Sequence, residues 1–235
     1  MAEDGSYILM ETGADVMSMG PTLSQVMTVQ EISEQLSGVA NGLEMFWQRG
    51  YIHGDVKPCN IVSFVVNGKR VFKIIDIELK VMDGRHKRNL DNKQSLSDVK
   101  DFWYYQIARQ PFTLQLSYFK SFIDPKLAQI FLGFRGDLIQ SEFDKNPRSA
   151  RLIAENIDFR LGKMDDLLGY FTTVCNVVEN SQIKLSPEQI VELKALKSMI
   201  LFDRNLTTDA LSNLYFNFDS IVSRVKRFVG SLSQN

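Results

Sequence analysis

Asn67-Gly68 stands between two six-residue runs rich in β-branched and aromatic side chains, Ile-Val-Ser-Phe-Val-Val at 61–66 and Arg-Val-Phe-Lys-Ile-Ile at 70–75. Two-residue hairpin turns put both central residues at positive φ, which Asn and Gly tolerate, and their twist matches that of paired strands. A hairpin ending at Asp76 is therefore predicted, and the rest of the chain must be arranged around it. Upstream, Thr28-Val29-Gln30-Glu31 reads as a capping box. Ile32, Leu36, Val39, Leu43 and Phe46 then recur at the spacing of a helix burying one face, and Gly50 closes it. Trp47 and Met45 read as packing residues of that helix. Gly38 and Gly42 each weaken it by about 1 kcal/mol relative to Ala, which predicts a close helix neighbour on their side.

Between helix and hairpin lies Tyr-Ile-His-Gly-Asp-Val-Lys-Pro-Cys-Asn, residues 51–60. His53, Asp55, Lys57 and Asn60 fall within one short loop. Asp and Asn are also ordinary turn residues, favoured for their local backbone hydrogen bonds, so the loop alone carries little. Its setting carries more, because a helix precedes it and a hairpin that closes on Ile74-Ile75-Asp76 follows. The passage resembles the His-Arg-Asp-x-Lys-x-x-Asn catalytic loop of eukaryotic-like Ser/Thr protein kinases, with Gly54 in place of the Arg. That resemblance implies Asp55 as the group that orients or accepts the hydroxyl proton, Lys57 as the cation facing the moving phosphoryl group, and Asn60 as a Mg²⁺ ligand. His53 would belong to the same catalytic set. Asp76-Ile77-Glu78 stands where the family carries Asp-Phe-Gly, so Asp76 would be the principal Mg²⁺ ligand; the Phe and Gly of that motif are absent. Phosphoryl transfer relies on positioning and charge rather than covalent work by the protein, and such a set covers most of those needs.

The same resemblance organises the flanks. Tyr7 to Met10 would be the last strand of a kinase N-lobe, and Glu11-Thr12-Gly13-Ala14 a hinge in which Glu11 and Gly13 contact the nucleotide. Residues 1–14 are thus expected to be a remnant of the N-lobe. Residues 15–235 would form a helical C-lobe, divergent over about 131–235. The expected fold class is α+β, mostly α, with a small β-hairpin carrying the catalytic and metal loops. No Gly-rich loop and no strand bearing the ATP-clamping Lys precedes Tyr7, so full activity is expected to need a missing N-lobe. The polar stretch 83–97 reads as a surface loop in the place of an activation segment, with Ser95 and Ser97 as its candidate phosphate acceptors. Asp101-Phe102-Trp103 resembles the start of the central C-lobe helix, whose Asp anchors the catalytic loop. From Pro111 onward the pattern is helical, with loops expected at 133–136, 146–147 and 180–186. Pro147 and Pro187 fall at first helical positions, and Leu193, Leu196, Ile200 and Leu201 form one apolar stripe.

A formal charge of −1 over 235 residues offers no general electrostatic footprint for nucleic acid or membrane. The clusters Arg85-His86-Lys87-Arg88 and Arg224, Lys226, Arg227 read as solvated surface. Cys59 and Cys175 are too far apart in sequence to suggest a metal or disulfide framework, and reduced thiols point to a cytoplasmic setting. The polar N-terminus lacks the form of a signal peptide, and non-classical secretion as an effector stays open. Three functions fit: a Ser/Thr protein-kinase-like phosphotransferase using ATP and Mg²⁺ on a protein substrate; a pseudokinase-like module that binds a protein partner; and a small-molecule kinase fragment. The last is suggested by His53-Gly54-Asp55 with Ile75-Asp76-x-Glu78, which is similar to the aminoglycoside phosphotransferase and choline kinase group, although Lys57 is more typical of protein kinases.

Overall fold

The computed structural model describes residues 13–16, 20–76, 80–81, 125–146, 150–201 and 206–234. Several expectations lie outside these residues: the strand at 7–10, Glu11, the polar stretch 83–97 with Ser95 and Ser97, Asp101 and Pro147. What is described is mostly helical with two small antiparallel sheets, an α+β arrangement dominated by α.

Helix α1 (Gly20–Val26) leads into α2 (Val29–Gln48), which begins as its sequence requires. The Thr28 hydroxyl accepts from the Glu31 amide at 3.2 Å, and the Glu31 carboxylate accepts from the Thr28 amide at 2.7 Å, so two otherwise orphaned N–H groups are satisfied. Ile32, Leu36, Val39 and Leu43 are buried on one face. Two details of the helix differ from expectation. Met45 is exposed, and a Cβ at Gly38 or Gly42 would meet nothing within 4 Å. These glycines precede the buried positions 39 and 43 by one residue, which rotates them off the face where another helix could approach.

Strands β1 (Ala14–Asp15), β3 (Ile61–Val66) and β4 (Lys69–Ile74) form one sheet in the order β1-β3-β4, and β2 (Tyr51–Ile52) pairs with β5 (Lys80–Val81). Val66 faces Lys69 across the turn, with Asn67 at φ 51° and Gly68 at φ 76°. The hairpin is the one read from Asn-Gly. A Gln35 side-chain oxygen on α2 accepts from the Phe72 amide at 3.1 Å and covers part of the edge that β4 would otherwise expose.

Helix α3 (Pro125–Lys145) runs straight through 133–136, where a loop was expected. Gly133 and Gly136 have open space at their Cβ positions, while Phe131, Phe134, Arg135 and Ile139 are buried. Tertiary burial of that face outweighs the roughly 1 kcal/mol that each glycine costs a helix. Helix α4 (Ala150–Asn180) is the spine of the molecule, about 46 Å long at the usual rise. Arg135 and Asp158 join α3 to α4 through two bonds of 2.6 and 2.9 Å, both residues being buried. Burial pushes the Asp158 carboxyl up, and the guanidinium opposes that rise.

Three further helices complete the described part: α5 (Pro187–Ile200), α6 (Thr208–Phe216) and α7 (Phe218–Ser231). Ser186 and Gln189 form a second capping box with Pro187 in the first turn, and Leu193, Leu196 and Ile200 are buried as one stripe. Leu201 is the C-cap and only half-buried. On α7, Phe218, Ile221, Val225, Phe228 and Val229 turn inward. This helix is fastened to α2 by the Ser33 hydroxyl, which donates to the Val229 carbonyl at 2.7 Å, and by Lys226 to Glu44 at 2.7 Å. A single buried apolar cluster extends from Val16 through α2 and α4 to Leu232. Among the described residues no helix is long and apolar enough to cross a membrane.

Candidate active site

The loop at 51–60 rests on one stripe of α4. Gly162, Asp166 and Gly169 are spaced four and three residues apart, so they share a helix face. A Cβ on Gly169 would lie 1.8 Å from the Val56 carbonyl oxygen, and one on Gly162 would lie 2.4 Å from the Ile52 side chain. At 169 only glycine lets the loop backbone come this close, whereas at 162 the neighbour is the end of the Ile52 side chain. Between them the buried Asp166 carboxylate accepts three hydrogen bonds, with Oδ2 taking the Trp47 indole N–H and the His53 amide, both at 2.9 Å, and Oδ1 the Gly54 amide at 2.8 Å. Gly54 sits at φ 78°, a conformation that disfavours the Arg found in the motif the loop resembles. Complete burial pushes the Asp166 carboxyl above its ordinary range, opposed by those three donors and by His53.

The polar side chains above this floor hold one another. His53 Nδ1 accepts from the Asp55 amide at 3.3 Å, and His53 Nε2 lies 3.2 Å from the Ile75 carbonyl oxygen, which together assign the proton to Nε2. The Ile75 amide donates in turn to the Asn60 carbonyl at 2.9 Å. Loop and hairpin are thereby joined at the residue before Asp76. Asp76 is exposed and stands at φ 60°, a left-handed conformation uncommon outside glycine although better tolerated by Asp than by most residues.

Asp55 is the centre of the group. Its Oδ2 accepts from Lys57 Nζ at 2.6 Å and from Asn60 Nδ2 at 3.0 Å, while Asn60 Nδ2 also donates to the Asp55 carbonyl at 2.9 Å. These acceptors fix the amide orientation and leave Asn60 Oδ1 as the free acceptor end. Asp55 Oδ1 is buried with no hydrogen-bond partner among the described residues, an uncommon state for a carboxylate oxygen. Partial burial works against the charge of Lys57, but the hydrogen bond and charge of Asp55, with lesser contributions from Cys59 and Asp76, outweigh it and raise the pKa of the amine. Both carboxylates therefore act on one ammonium group.

His53, Asp55, Lys57 and Asn60 thus form one bonded cluster, and Asp76 lies beside it. Gly13 does not join them. It is exposed beside the Phe64 ring, four residues along β3 from Asn60, or roughly 13 Å at strand spacing. Cys59 is exposed at the rim, whereas Cys175 is buried on α4, where desolvation pushes its thiol up to about 12.

Two participants were not foreseen. Asp101, expected to anchor the loop, lies outside the described residues; among the described residues the loop's backbone is held by Asp166. A sequence signal for it exists: Asp165-Asp166 interrupts an otherwise apolar helical run from Met164 to Phe171, and a carboxylate buried in such a run needs donors. Trp47 was expected only to pack, yet its indole also donates to this carboxylate. Chemically, the cluster can accept a proton at Asp55, hold an anion at Lys57 and offer hard oxygen ligands from Asn60 and Asp76. No protein-family model, curated protein or solved structure was found that matches this chain.

Proposed function

We propose that the loop and hairpin are the phosphotransfer centre of a protein-kinase-like enzyme, which moves the γ-phosphate of ATP to a Ser or Thr hydroxyl of a protein. One observation carries the reading: Asp55, Lys57 and Asn60 are bonded into a single cluster whose ammonium group also feels Asp76. In this reading Asp55 Oδ1, buried and lacking a partner, receives or orients the proton of the attacking hydroxyl. Lys57, held charged by Asp55, faces the transferred phosphoryl group. The Lys57–Asp55 bond favours the protein-kinase reading over the small-molecule one, since that Lys is typical of the former group. His53 ties the loop to Ile75, so the segment bearing Asp76 keeps its position relative to Asp55.

The donor set fits Mg²⁺, which is commonly held by one or two protein oxygens together with substrate phosphates. Asn60 Oδ1 and Asp76 would hold it, and the bound ion would supply charge neutralisation for the phosphates. Gly13, beside Phe64 and four residues along β3 from Asn60, would lie toward the base of the nucleotide, and an N-lobe bearing a Gly-rich loop would cover the phosphates for full activity.

Titration calorimetry with Mg-ATP and transfer of labelled phosphate to Ser/Thr peptides test the assignment. Asp55→Asn should keep nucleotide affinity and lose turnover by roughly a thousandfold. Asp76→Ala should weaken Mg-ATP binding. Normal turnover in the first variant, or unchanged affinity at limiting magnesium in the second, refutes the roles given.

A further inference from the structure

We infer that Trp47 is a positioning residue for the catalytic loop, acting through Asp166, and that α7 fixes its ring by way of Phe218. The role deepens the phosphotransfer reading given above. Trp47 lies in the last turn of α2, six residues before His53. Its indole N–H and the His53 amide converge on the same oxygen, Asp166 Oδ2, at 2.9 Å each. A Trp that served only to fill space could direct its N–H to any nearby carbonyl or to solvent. Here it completes the donor set of the carboxylate that, among the described residues, holds the loop's backbone, so the end of α2 and the start of the loop are fixed to a common point on α4.

The ring itself is held from the other side. Phe218, the first residue of α7 and fully buried, meets the Trp47 ring edge-on with centroids 5.5 Å apart and planes at 61°. Lys163 of α4 lies over the Phe218 ring at 5.0 Å from its centroid and over the Phe159 ring at 5.4 Å, with the charge of Asp219 also acting on the amine. Because the C-terminal half of α7 is bound to α2 through Val229 with Ser33 and Lys226 with Glu44, the placement of Phe218 at the helix start follows how α7 sits. A displacement of the C-terminal helix would turn the Trp47 ring, remove one donor from Asp166 and loosen the His53 and Gly54 amides, which set the backbone from which Asp55 projects.

The test uses the full chain, with Trp47→Phe to keep an aromatic ring beside Phe218 while removing the N–H. Hydrogen exchange resolved to single amides should show His53 and Gly54 exchanging about tenfold faster, with the amides of α5 unchanged. Phosphate transfer should fall about tenfold in kcat with KM for ATP within twofold, because the loop's geometry and not the nucleotide contact is altered. Phe218→Leu, which fills the core but removes the ring edge, should move the same two amides by a smaller factor. Wild-type exchange at His53 and Gly54 in Trp47→Phe overturns the inference, as does a uniform acceleration that includes α5. If the wild-type chain, supplied with an N-lobe bearing a Gly-rich loop, still transfers no phosphate and binds no Mg-ATP while the two amides respond, the phosphotransfer reading fails and the positioning role stands.

Discussion

The loop region at 51–76 and the C-terminal helices α5 to α7 are built by opposite rules. In the helices the buried positions are chiefly aliphatic and aromatic, and the ion pairs, Lys197–Glu179 and Arg224–Glu192, lie at or near the surface. In the loop region His53, Asp55 and Asn60 are themselves buried, and they rest on the buried Asp166. Burying polar groups costs stability unless every donor and acceptor is matched, so a fold optimised for stability alone would not concentrate them here. At the centre, Asp55 Oδ1 has no partner among the described residues. The contrast supports the proposed placement of the site: α5 to α7 follow the rules of packing, and the loop departs from them around Asp55.

That contrast can be broken at its foundation. Asp166→Leu would leave the Trp47 indole and the His53 and Gly54 amides buried without acceptors, and should cost about 4 kcal/mol, read as a shift in the urea unfolding midpoint. A loss below about 1 kcal/mol would mean that the loop does not depend on α4. The glycines sharpen the point because the two regions should respond with opposite signs. Gly169→Ala places a Cβ against the Val56 carbonyl and should destabilise by about 3 kcal/mol. Gly38→Ala, on an exposed helical position with open space, should stabilise by about 0.7 kcal/mol.

The smallest effect belongs to the helical region. The hydrogen bond from Arg224 holds the Glu192 carboxyl below its ordinary range, with burial opposing and the charges of Arg224 and Arg227 assisting. A carboxylate whose folded pKa is depressed contributes stability above its unfolded pKa, and that contribution disappears as pH falls through the lowered folded value. Both side chains are partly exposed, so the term should stay below about 1 kcal/mol. Comparing Glu192→Gln with wild type in urea titrations from neutral to acid pH should show a small deficit at neutrality that closes as the acid is titrated. A deficit that widens on acidification would reverse the assignment.

Much of the local structure was legible in advance. Thr28 and Glu31, Ser186 with Pro187, and Asn67-Gly68 act through neighbours three residues away or fewer, so their geometry follows from the chain's own chemistry. Asp55, Lys57 and Asn60 were legible for the same reason, being five residues apart on one loop. Gly133 and Gly136 misled because their helix is decided by what its other face buries. Gly38 and Gly42 misled in the opposite sense, since a pair of small residues does not by itself supply a neighbour.

What the sequence determined unaided, then, was a capped helix, a polar loop and a hairpin in that order, because each is specified by contacts between residues close along the chain. Which carboxylate would carry the loop was decided only in three dimensions. Asp166 lies 113 residues beyond His53, and its selection depends on how α4 crosses beneath the loop with Gly162 and Gly169 clearing the way. Spacing along a sequence cannot encode that crossing, since it is set by the packing of side chains drawn from every other helix in the core.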